Sequence, residues 1–114
     1  MNKYINEKDL IEKKEMLGDD LLGEIIDMFL ESYPGSLKKL EENIENSDFP
    51  SLIFNAHSFK NDLGNFGSAE VIDLAFQFEK KGRNNDASGL EELFKNTKII
   101  IEHLASELKE FKNQ

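Results

Sequence analysis

"AHSFKNDLGNFGS", residues 56–68, decides the reading of this chain. It holds one of only two histidines in the sequence, and a lysine follows three positions after His57. On a helix of 3.6 residues per turn, Leu52, Ala56, Phe59, Leu63 and Phe66 gather on one side, with Ile53 beside them. That side is a core face. His57, Asn61 and Gly64 stack on a different side, because residues three and four apart are neighbours on a helix surface, and Lys60 borders it. The pattern places the imidazole toward solvent, within reach of a lysine. Gly64 is expected inside the helix, where glycine costs about 1 kcal/mol against alanine. It would leave the surface near the ring flat enough for something bulky to approach.

Outward from this stretch the chain reads as helical. Leu, Glu and Lys are abundant, no alternating strand pattern stands out, and the only prolines are Pro34 and Pro50. "NEKDLIEKKEML" predicts a short first helix capped by Asn6 and stopped near Gly18. "DDLLGEIIDMFLES" predicts a second with a broad apolar face, bent or restarted at Pro34 and continued by "GSLKKLEENIENS". Asp48 is the expected cap of the helix carrying His57, with Pro50 in its first turn and its end near Phe66. Gly67 breaks it, Ser68 caps "AEVIDLAFQFEKK", and Gly82 is expected to end that helix. "GRNNDASG" is a loop, and Ser88 with Glu91 has capping-box spacing for the last helix. The tail "ELKEFKNQ" is expected to fray. Short connections make neighbouring helices antiparallel. The expected fold is therefore all-α, an antiparallel four-helix bundle with a short additional N-terminal helix. One domain is expected over residues 1–114, its bundle core at about residues 19–108.

Composition removes several function classes. The formal charge of −9 lacks the basic footprint of a nucleic-acid-binding domain. With no cysteine there is neither a disulfide framework nor a cysteine metal site, and one histidine without a spaced second is not a zinc ligand set. No signal-peptide pattern opens the chain, and the apolar run in "TKIIIEHLA" is too short to span a bilayer. The expectation is a cytoplasmic protein with no cofactor, no metal, no nucleic acid and no membrane partner. His103, alone in "IIIEHLASE", is expected on the flank of the last helix. A serine-hydrolase reading lacks a nucleophile elbow and a strand scaffold. A lone exposed histidine is most often a plain surface residue, so periodicity by itself assigns His57 no role.

The residues resemble the histidine-containing phosphotransfer (HPt) domain family. That family's motif is a small residue, a histidine, lysine at the third following position, usually glycine at the fourth, and glycine at the tenth. Here it reads Ala56, His57, Lys60, then Asn61 in place of glycine, and Gly67. "SAEVIDLAFQFEKKGR" is similar to the following helix, with Phe78–Glu79 where Leu–Glu is common. Upstream, a Phe, a Pro, a Leu pair and an Asp precede the histidine helix in the family's order. The likeness runs over about residues 17–108.

The resemblance implies a phosphocarrier rather than a true enzyme, without kinase activity of its own. His57 would accept a phosphoryl group from a receiver-domain aspartate and pass it to another. The partners would be receiver domains and a hybrid histidine kinase, and any metal would belong to the receiver. Free imidazole, titrating near ~6.5, is a competent nucleophile at neutral pH. Phosphoryl transfer mainly needs positioning and charge stabilisation, which Lys60 can supply. If the helices fold back about Gly67, His57 lies level with roughly Gln77, and Lys80, Lys81 and Arg83 follow one to two turns on. Asn61, Gly64, Gln77, Lys80 and Arg83 are therefore the expected partner-docking residues, although lysines near a helix C-terminus also answer its dipole. Asn61 leaves open a degenerate module that binds partners without phosphotransfer. A third reading is the phosphoacceptor domain of a chemotaxis-type kinase, for which a further domain would be expected to follow.

Overall fold

Pro34 lies inside the longest helix and does not end it. In a computed structural model that describes residues 2–114, α2 runs unbroken over Asp19–Glu45, after a short α1 over Glu7–Leu17. Met1, the first residue of the span expected to form the domain, lies outside the described residues. Proline removes one backbone donor from the helix ladder. Phe29, Leu37 and Leu40, on both sides of it, are buried, so packing holds the helix where local propensity would let it restart.

Three further helices follow: α3 over Phe49–Leu63, α4 over Ala69–Arg83 and α5 over Leu90–Lys112. The contacts between them run in opposite chain directions. Asn55 Nδ2 donates to Asn43 Oδ1 at 2.8 Å near one end of the α2–α3 pair, and the Phe29 and Phe66 rings meet at 5.1 Å near the other. Lys112 Nζ donates to Asp27 Oδ1 at 2.6 Å, where the end of α5 meets the start of α2. The bundle is all-α and antiparallel as expected, with α1 packed against α2. Its hydrophobic core is built on Leu10, Ile26, Leu40, Leu52, Phe59, Phe78, Ile101 and Leu104, and Glu79 and Thr97 are the polar side chains buried with it among the described residues.

Helix starts follow side-chain chemistry in two cases and depart from it in two. Asn6 and Asp48 accept from the backbone N–H groups of Asp9 and Ser51, each at 3.2 Å, as capping residues should. Ser68 occupies the cap position of α4, but its hydroxyl makes no capping bond; its own N–H donates to the Tyr4 carbonyl at 2.8 Å. The expected Ser88–Glu91 capping box does not form. Gly89, left-handed at φ 71°, stands at the start of α5, and the Ser88 hydroxyl and N–H both turn to Asp86 Oδ1 at 2.5 and 2.9 Å. Asp86 competes for Ser88 with a shorter loop, and the αL turn then needs a glycine.

Helix ends also differ from expectation. α3 stops at Leu63, one turn before Phe66, and Gly64 caps it instead of lying inside it. α4 passes through Gly82 to Arg83. The tail does not fray to Lys112, because Leu108 and Phe111 are buried and Lys112 is paired with Asp27.

The N-terminal segment closes the bundle's end at the α3–α4 turn. Glu107 Oε1 accepts from the backbone N–H groups of Lys3, Tyr4 and Ile5 at 2.8 to 3.0 Å. Ile5 pairs with Gly67, and Asn6 N–H donates to the Phe66 carbonyl at 2.8 Å. Among the described residues, no helix is long and apolar enough to cross a membrane.

Candidate functional site

The candidate residues gather at the α3–α4 seam, and two glycines set its closeness. A Cβ on Gly82 would lie 2.8 Å from Ile53 Cγ1. At the turn, a Cβ on Gly67 would meet Val71 Cγ1 at 3.0 Å and the Leu63 carbonyl at 3.1 Å. Only residues without a side chain let the helices approach this closely at those two levels. Between them, His57 and Lys60 of α3 face Glu79 of α4.

Glu79 is the hub. Its side chain is 3% exposed, on the stripe of α4 that Val71, Ala75, Phe78 and Gly82 bury. His57 Nδ1 and Lys60 Nζ each lie 3.1 Å from Oε1, and Arg83, one turn further along α4, reaches Oε2 at 2.6 Å. Burial raises the carboxyl's pKa. The hydrogen bonds from Lys60 and His57, with the charges of Lys60 and Arg83, outweigh it, and the net shift is downward. The carboxylate is therefore ionised at neutral pH and can only accept. That assigns the proton of neutral His57 to Nδ1 and leaves Nε2 with its lone pair. The His57 side chain is 53% exposed.

Lys60 has a second anchor. Its Nζ lies 4.9 Å from the Phe76 ring centroid, and Lys80 Nζ lies 5.1 Å from the same ring. Its side chain is half-buried between ring and carboxylate.

The expected site residues divide into those brought together and those not. His57, Lys60 and Arg83 meet at Glu79, and Lys80 joins through Phe76. Gln77 does not meet His57: its Nε2 donates back along α4 to Asp73 Oδ2 at 2.8 Å. The two helices are in a register that sets His57 level with Glu79, two residues beyond Gln77. Lys81 turns away to Asp86 and the Ser88 carbonyl. Asn61 is exposed one turn beyond His57, and Gly64 lies past the end of the helix. His103 is exposed on α5, its ring 6.1 Å from that of Tyr4, and is not part of the seam.

Sequence reasoning missed Glu79 and Phe76 as site residues. A signal for Glu79 was available: it follows Ala75 by one turn and Val71 by two, so it is a charge on an otherwise apolar stripe. Phe54, 62% exposed one turn before His57, was likewise not singled out.

The seam thus presents one half-exposed histidine, backed by a buried carboxylate and flanked by cations. The model of the Hpt domain family matches residues 24–114, and the chain belongs to that family. In structure the chain is similar to histidine-containing phosphotransfer protein B (HptB) from Pseudomonas aeruginosa PAO1, at a TM-score of 0.90 over 99% of this chain and 97% of that one. Sequence identity there is 18%, so the likeness concerns the fold. No curated protein matches the sequence significantly.

Proposed function

We propose that residues 1–114 act as one phosphorelay intermediate, in which His57 takes a phosphoryl group from a receiver-domain aspartyl phosphate and gives it to a second receiver aspartate. The observation that carries this reading is the His57–Glu79 contact: it keeps the proton on Nδ1 and frees Nε2 on an exposed ring. Nε2 attacks phosphorus, the N–P bond forms, the acyl O–P bond breaks, and the receiver recovers its carboxylate. No proton has to leave. The phosphorylated ring carries its positive charge beside the Glu79 carboxylate, which is already in place to balance it. Return transfer to another aspartate is the reverse of the same step.

Lys60 and Arg83 supply cations near the arriving phosphoryl oxygens. Asn61, Gly64, Lys80 and the exposed Phe54 form the rim that a receiver would touch, in the cytoplasm where receiver domains act. Asn61, in the usual glycine position, favours one competing reading, a module that docks without transfer.

Incubation with phosphorylated receivers tests the proposal. Acid-labile phosphate is expected on the wild type and on His103→Gln, and none on His57→Gln with its helical circular dichroism intact. Equal labelling of His57→Gln would sink the assignment, and an unlabelled wild type that still binds receivers would establish the docking-only module.

A further inference from the structure

Two lysines from different helices converge on one phenyl ring. Phe76 is 37% exposed on the surface of α4. Lys60 approaches it from α3 at 4.9 Å, and Lys80, one turn along α4, at 5.1 Å. Both ammonium groups are within the ~6 Å at which a ring's quadrupole attracts a cation. Lys60 is at the same time the lysine bonded to Glu79.

We infer that Phe76 is a positioning residue for phosphotransfer: its ring holds Lys60, and gathers Lys80 beside it, at the His57 edge of the seam. The inference rests on the phosphotransfer reading above. A lysine ammonium is a point charge on a flexible four-carbon stem, so its usefulness depends on what restrains it. Glu79 alone would draw Lys60 inward, toward a buried carboxylate and away from an incoming phosphoryl group. The ring supplies an attraction from the solvent side of the seam and carries no opposite charge to neutralise the ammonium. Once His57 is phosphorylated, its positively charged ring competes for Glu79, and Lys60 can turn to the phosphoryl oxygens without leaving Phe76. The second cation on the ring raises the local positive potential on a chain whose formal charge is −9.

The test uses Phe76→Leu and Phe76→Tyr in the full chain, with two readouts. In the free protein, the ε-methylene protons of Lys60 and Lys80 are expected to show a ring-current shift that Phe76→Leu abolishes and Phe76→Tyr keeps. With a phosphorylated receiver, Phe76→Leu is expected to label about threefold more slowly, the scale of one half-exposed cation–π contact. Phe76→Tyr should restore the rate. On a Lys60→Ala/Lys80→Ala background, Phe76→Leu should have no further effect. A wild-type rate in Phe76→Leu, or an equal slowing on the lysine-free background, would overturn the role. Absence of the ring-current shift from the wild type would overturn the contact itself. A wild type that shows the shift but takes no label would instead refute the phosphotransfer reading, and the positioning role with it.

Discussion

Glu79 Oε1 lies 3.1 Å from His57 Nδ1, across the seam between two helices. The carboxylate also holds Lys60 and Arg83, so the ring is oriented by a group that is itself fixed on both oxygens. Glu79→Gln tests what the charge does. A glutamine amide can accept from Nδ1–H or, flipped, donate to Nδ1, which puts the ring proton on Nε2 instead. We expect the His57 tautomer ratio, read from ¹⁵N chemical shifts, to move toward Nε2–H. Labelling should slow by about tenfold, the scale of one charge-assisted hydrogen bond. An unchanged tautomer ratio with unchanged labelling would remove Glu79 from the mechanism.

The same carboxylate ties stability to pH. Burial raises its pKa, but the bonds from Lys60 and His57 and the charges of Lys60 and Arg83 leave it below its ordinary value of 4.5. The unfolded chain therefore binds the proton first as pH falls. The Glu79 contribution is fully present above the unfolded value and is lost as pH drops through the folded one. Asp86, held low by the Ser88 hydroxyl and N–H and by Lys81, works in the same direction, whereas Asp62, raised by burial, opposes it. Melting temperature is expected to fall from pH 5 to pH 3, with a shallower slope in Glu79→Gln than in the wild type. Parallel slopes would show that the buried ion pairs add nothing net.

Gly82→Ala probes the spacing of the seam. Alanine gains about 1 kcal/mol of helix propensity over glycine. Its Cβ would meet Ile53 Cγ1 at 2.8 Å, and that atom belongs to a stiff β-branched side chain. Overpacking of this kind costs about 1–3 kcal/mol. The expected net result is a loss of about 1 kcal/mol in urea denaturation. On an Ile53→Ala background the clash is gone, and Gly82→Ala should then stabilise. Destabilisation on both backgrounds would place the cause elsewhere.

Gly82 also shows where sequence reading stops. As an isolated letter near the end of an apolar stripe it reads as a terminator, and only the facing Ile53 reveals it as a contact inside α4. The helices themselves were legible because their faces are periodic, and His57 and Lys60 because they depart from the face of α3. Gln77 was misplaced because the register between α3 and α4 depends on how closely the backbones approach at Gly67 and Gly82, which helical periodicity does not contain. The Ser88–Glu91 box failed because a neighbouring acid, Asp86, captured the serine first.

Asn61 remains the residue that sets this chain apart from the usual motif. It is exposed one turn beyond His57, and the phosphotransfer proposal puts it on the rim that a receiver would meet. If its bulk selects among receivers, Asn61→Gly should change labelling rates unevenly across a receiver panel. The stability loss should be small, up to about 1 kcal/mol, because asparagine is already a modest helix former. A uniform slowing with every receiver would mean that the side chain binds the phosphoryl group. Equal rates throughout would remove Asn61 from the functional account and with it the sequence support for a docking-only module. Melting curves on the same variant are needed, because partial unfolding would imitate the uniform loss.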